Sequence, residues 1–439
     1  MTALSAAKRQ IVQSVIEAAP DAAVRSLELA LASADAGDGL LGGVRALVEI
    51  EASDRAVRNT ILSPIVGLCQ VREPGALSFP FHTKARLWRA LKATEPDLVA
   101  DAVARCNTWD HESLPPAPFD ALCAAAARRL RSADPAFEQV ATSDDVSVLA
   151  ACLDLAPLVR TAALRLDSWL NHMTPERQAA ARLAYRDASA VNEDAGPRFF
   201  EMLSAPLPQP QLILRVIGAV MDRPGERYIA SSELAFFGDR VVASIQARID
   251  RLDTFDPAKA DSQGAGAAAG QAVSQALSAI EGLEQAVTLS KDGRWGRTVF
   301  QQKQTIAKLV EKRLGSMDKL VQQALPTESR FGGKGRGAPK LAADPDPHAV
   351  ERAAGALAFS DQVRSAAANG GFGVARTKAL EAINERLDHY IEDLLTALRN
   401  GDGGEPQRMR AYLDAAARLV GLARDEKAEQ IVRRRIAAA

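Results

Sequence analysis

The residues best suited to chemistry lie between 291 and 340. Arg330, Phe331, Lys334 and Arg336 alternate with Gly332, Gly333, Gly335 and Gly337. Glycine-rich backbone bearing cations can follow a phosphate chain, and a ring such as Phe331 can stack on a base. The segment is not a P-loop. That motif needs GxxxxGK followed by Ser or Thr after a strand, whereas Ala338 and Pro339 follow Gly337 here. A solvated linker has the same composition, and an acidic protein is a third use of the charge. Just upstream, Arg294, Trp295 and Arg297 flank Gly296. Trp and Arg are the types most enriched at binding hot spots. Trp295 has a second use, folding back to cap the end of a helical bundle. These seven residues are the candidate contacts for a partner or an anion.

Other constellations point to structure. Gly370, Gly371 and Gly373 precede a helix with Arg376 and Lys378, but no strand comes before them, and a helix stop with a turn accounts for the glycines. His111-Glu112 matches a phosphoacceptor box only superficially, because Pro115 and Pro116 break the helix it needs. No two of His82, His111, His172, His348 and His389 stand at i, i+4. Cys69, Cys106, Cys123 and Cys152 form no CxxC pair and lie in apolar helical stretches, where Cys acts as a small buried hydrophobe. Asp144-Asp145 opens a helix, where acids suit the dipole. Glu381, Glu385, Asp388 and Glu392 flank the Leu380 stripe as a solvated edge, with His389 a boundary residue. No metal ligand, cofactor motif or catalytic set is expected.

Helices must position all of this. Aromatic residues are 5% of the chain, and Ala, the best helix former, is abundant. Apolar residues recur every three to four positions: Val273, Leu277, Ile280 and Val287; Val310, Leu314, Met317 and Val321; Leu380, Ile383, Leu387, Tyr390 and Leu394. That spacing puts each set on one helix face. Helix starts are marked by Glu95-Pro96, Asp134-Pro135, Thr174-Pro175, Asp346-Pro347 and Glu405-Pro406. The expected fold is all-α. An irregular array of short helical hairpins, solenoid-like but without a fixed period, occupies 1–255. A hinge follows at 256–265. A bundle of longer amphipathic helices fills 266–439, interrupted by the basic Gly-rich loop at about 327–347. Phe79-Pro80-Phe81 forms a turn able to seat a partner or, equally, to pack between helices. Phe199-Phe200 and Phe236-Phe237 are adjacent on helices, so at most one of each pair faces a given core.

Length and charge bound the function. A chain of 439 residues exceeds one ordinary core. The net charge is −1, yet residues 291–340 hold 12 Lys and Arg against 4 Asp and Glu. The N-terminus has no apolar signal region, and no apolar run approaches the ~20 residues that span a bilayer. The bias toward Ala, Arg, Asp and Gly resembles a GC-rich bacterial genome. The expectation is a cytoplasmic, non-enzymatic adaptor or scaffold docking a protein partner through its long stripes, or pairing with a second copy through 266–325. One alternative is a nucleic-acid-associated protein using 291–340. Another is an enzyme whose site is assembled from distant helices.

Overall fold

In the computed structural model, the described residues are 5–33, 40–110, 113–192, 194–221, 225–259, 262–328, 337–401 and 404–439. Among them are nineteen α-helices and one ladder of two short strands, so the fold is all-α. The chain divides into two compact units, residues 1–240 with 285–288, and residues 241–284 with 289–439.

The first unit contains α1 (Ala6–Ala18), α2 (Asp21–Ser33), α3 (Leu40–Ile61), α4 (Ser63–Val66), α5 (Thr83–Thr94), α6 (Pro96–Thr108), α7 (Ala117–Arg131), α8 (Ser143–Asn171), α9 (Pro175–Ser189), α10 (Ala195–Ser204), α11 (Ile213–Val220) and α12 (Glu226–Ile229). α13 (Ala235–Thr254) crosses the division. Helix α8 packs on α4, α7, α9 and α10. The sequence pattern alone predicts two helices here, 145–156 and 158–170, broken at Pro157. Instead α8 runs for 29 residues through that proline, because Leu153, Leu155, Ala156 and Val159 around it are all buried. Joined in this way, α8 is the one helix among the described residues long and apolar enough to cross a membrane by length and composition, and half of that stretch is buried against its neighbours. Phe199 and Phe200 are both fully buried, with ring centroids 5.6 Å apart. Helix α10 is flanked by α8, α9 and α4, so adjacent positions both meet protein. Phe79 is buried too, and Lys84 Nζ sits 4.5 Å above the Phe81 ring. That turn is packing.

The second unit is a helical bundle of α14 (Gln263–Ala286), α15 (Arg294–Ala324), α16 (Pro347–Gln362), α17 (Gly373–Asn400), α18 (Pro406–Ala423) and α19 (Glu426–Ala437). The sequence pattern alone predicts the last two as one helix, 406–436. The chain breaks at Arg424, and Asp425 caps α19 by accepting from the Ala428 N–H at 2.8 Å. Strands β1 (Thr327–Glu328) and β2 (Ala338–Pro339) pair antiparallel. The expected loop at 327–347 is therefore tied at its base, and residues 329–336 lie outside the described set. Each apolar stripe is consumed within the chain: Val310, Leu314, Met317, Val321, Ile383, Leu387 and Leu394 are all buried. Full burial of one such side chain stabilises by about 1.5–3 kcal/mol.

Every expected Pro start opens a helical turn. Asp134, Thr174 and Asp346 accept a backbone N–H from the following turn. Glu95 and Glu405 do not cap; they meet Arg129 at 2.9 Å and Arg408 at 3.4 Å instead.

Two contacts fix the second unit. A Cβ on Gly266 would stand 1.8 Å from the Gly355 carbonyl oxygen, so α14 and α16 touch backbone to backbone. Arg313, buried on α15, donates to the carbonyls of Leu252, Asp253 and Phe255 at 3.1, 3.0 and 3.2 Å, closing the C-terminus of α13. Gly266→Ala should lower stability by about 1–3 kcal/mol or more. Arg313→Met should cost about 3 kcal/mol by taking a charged donor from three carbonyls, of which Leu252 keeps the Phe255 N–H at 3.2 Å. Arg297→Met, at an exposed position of the same helix, should stay within about 0.5 kcal/mol. Denaturant unfolding of the full chain followed by circular dichroism checks all three.

Candidate interaction surfaces

Helix α15 carries the candidates that can be located. Its 31 residues bury Trp295, Val299, Gln302, Ile306, Val310, Arg313, Leu314 and Met317. Trp295 is 1% exposed, so it anchors the helix and is removed from the contact candidates. Arg294 and Arg297 are exposed at the same end. Arg330, Phe331, Lys334 and Arg336 lie outside the described residues.

At 100° per residue, Arg297, Gln301, Gln304, Thr305, Lys308, Lys312, Gly315 and Lys319 fall within a sector of about 100°. All are exposed. Among the described residues, Arg297, Lys308, Lys312 and Lys319 have no carboxylate partner. Lys303, round the side of the helix, is held by Glu284 at 2.7 Å. At the N-terminal end, Phe300 is 63% exposed. It lines a groove of about 460 Å³ together with Leu289, Lys291, Arg297, Gln301 and Lys303. The lysines and Phe300 were not singled out from the sequence. Seven of the chain's thirteen lysines fall in 291–340, and that count joined to a helical wheel would have found the stripe.

The stripe residues Val273, Leu277, Ile280, Val310, Leu314, Met317 and Val321 are buried in the chain's own core.

The α17 side of the bundle holds a polar hollow of about 380 Å³, lined by Asp318, Thr327, Glu385, Arg386, His389, Tyr390 and Asp393. Arg386 and Asp318 neutralise one another through two hydrogen bonds of 2.8 and 2.9 Å. Burial pushes the Tyr390 hydroxyl well above the ordinary phenol range, so it stays protonated and is no base at neutral pH. Its oxygen is buried without a hydrogen-bond partner among the described residues. Among the described residues no group of three His, Cys, Asp or Glu is placed to hold a metal. The thiols are unsuited to nucleophilic work. Cys69, Cys123 and Cys152 are buried, while Cys106 is only half-buried, less than expected. Burial pushes Cys69 to about 11 and Cys152 to about 12, which keeps the inert thiol form.

In the first unit, α1, α3 and α5 enclose a groove of about 420 Å³. Ile16, Leu47, Ile50, Ala85 and Trp88 supply its apolar lining. Glu17 pairs with Arg89 across it, Asp54 with Lys92 at 2.5 Å, and Glu51 with Arg58 at 2.9 Å. Ile50 is 60% exposed. Of the sixteen large hydrophobics left exposed among the described residues, seven lie between Ile11 and Ile50. Unpartnered apolar surface is therefore concentrated on α1–α3. Nothing in the sequence distinguished Ile50 from a core residue, since its exposure depends on where α1 and α5 stop.

No protein-family model, curated protein or solved structure matches this chain.

An unpartnered buried hydroxyl is a cost to the fold of about 1–3 kcal/mol. Tyr390→Phe should therefore leave stability unchanged or raise it by up to that amount. A clear fall in the unfolding midpoint would show that a group in the hollow hydrogen-bonds Tyr390.

Proposed function

We propose that this protein is a cytoplasmic, non-enzymatic helical adaptor that receives an amphipathic helix of a partner protein in the groove between α1, α3 and α5. One observation carries the proposal: Ile50 stands 60% exposed in a concavity already floored by Ile16, Leu47 and Trp88. An apolar floor inside a polar rim is the anatomy of a protein–protein interface. The rim charges here are paired within the chain, so covering them leaves no lone ion buried. A helix presenting apolar anchors at i, i+3, i+4 and i+7 suits such a groove. The protonated thiols and the neutralised Arg386–Asp318 pair support a binding role over a catalytic one.

The test is a photo-crosslinking amino acid at Ala93, on the α5 lip of the groove, in the full chain in its native cell. The expected product is one protein adduct of discrete mass that survives nuclease. Ile50→Asp should reduce it at least about tenfold, as for loss of an interface hot spot. The same crosslinker at Arg186, exposed on α9, should yield none. An adduct indifferent to Ile50→Asp, or equal at both positions, overturns the reading.

A further inference from the structure

We propose that the outward face of α15 binds single-stranded nucleic acid. The chain has thirteen lysines against forty-one arginines, yet seven of the lysines lie within residues 291–340. The two cations are used differently. Buried arginines close helix ends, as Arg313 does for α13 and Arg160 does at the Ile61 carbonyl. Lys308, Lys312 and Lys319 are exposed and have no carboxylate among the described residues. With Arg297 they form a straight row. From Arg297 to Lys319 it is about 33 Å long, at 1.5 Å per residue. Gln301 and Gln304 stand between the cations, and their side-chain amides can donate to phosphate oxygens. Two acids flank the row: Glu311 is about 40° off it, and Asp318, about 20° further round, is paired with Arg386 at 2.8 Å.

Phe300 selects the ligand. It is 63% exposed, one turn from Arg297, in the groove they share with Lys291. An aromatic ring beside cations is the stacking platform of single-strand binders, since unpaired bases offer their faces. A duplex keeps its bases stacked inside and gains nothing from Phe300. A membrane surface needs an apolar helix face to insert, and the apolar face of α15 is buried in the bundle. The inference does not rest on the groove in the first unit, and its test leaves that groove unaltered.

The experiment is fluorescence anisotropy of a labelled oligodeoxythymidylate titrated with the full chain. Four phosphate contacts predict a slope of about −2.8 for log affinity against log salt, and so a roughly 50-fold loss between 50 and 200 mM salt. Lys308→Glu, Lys312→Glu and Lys319→Glu together should remove at least about nine-tenths of the affinity and flatten that slope. Phe300→Ala should weaken binding on the order of tenfold at fixed salt and leave the slope unchanged. Lys259→Glu, Lys378→Glu and Lys427→Glu together make the same charge change elsewhere and should keep affinity within about twofold of the parent. All seven positions are exposed, and circular dichroism confirms that each variant is folded. The inference is overturned by absence of binding at 50 mM salt, by equal losses in the two triple variants, or by tighter binding to duplex DNA, phosphatidylserine vesicles or polyglutamate than to the single strand.

Discussion

The recurring interaction in this protein is an arginine from one helix closing the C-terminal end of another. Each helix leaves its last carbonyls unsatisfied and its C-terminus partially negative. With nineteen helices, that problem recurs through the chain. Arg55 donates to the carbonyls of Ile16 and Ala19 at the end of α1. Arg177 reaches Ser168 and His172, and Arg215 reaches Leu170, at the end of α8. Arg182 reaches Ala219 and Met221 at the end of α11, and Arg376 reaches Ser360 near the end of α16. A planar guanidinium with five donors can bridge several carbonyls where an ammonium cannot hold the same geometry. The bonds of Arg55, Arg182 and Arg215 join segments 36 to 45 residues apart, so they set topology as well as local stability.

That use of arginine gives meaning to the lysines. A cation buried against carbonyls is structural. A cation left in water on a long helix, with no carboxylate beside it, contributes nothing to the fold and keeps its charge for solvent or a ligand. Helix α15 carries both kinds: Arg313 faces inward, and Lys308 and Lys312 face outward. The inward side also sets how closely the bundle packs. Gly266 lets α14 meet the backbone of α16, and Phe255 stacks on Phe359 with ring centroids 5.7 Å apart. The first unit instead stabilises buried charges as clusters, with Glu201 between Arg72 at 3.0 Å and Arg240 at 2.5 Å. Each cluster is held by its partners and hydrogen bonds, because a lone buried ion would cost several kcal/mol.

The two candidate surfaces have opposite physics. The α1–α3–α5 groove is apolar with internally neutralised edges, which suits a folded protein segment. The α15 row is convex, charged and hydrated, which suits a flexible polyanion whose affinity comes from counterion release. Neither feature needs a catalytic group. Burial of the thiols and of the Tyr390 hydroxyl raises the proton affinity of the groups that could otherwise act as nucleophile or base.

The sequence by itself determined the helical class, most helix starts and the inward stripes. These follow from local rules: alanine favours helix, proline is tolerated in a first turn, and a three-to-four spacing marks one face. The excess of cations at 291–340 was legible too. Tertiary structure decided the rest. It joined α8 through Pro157, because burial on both sides outweighed one lost hydrogen bond. It buried Trp295 and left Phe300 exposed, five residues along the same helix, because exposure depends on what packs against each face. It closed the apolar stripes on one another in the core. Which side chains remain free is set by contacts between segments far apart in the chain, and local spacing carries no record of those contacts.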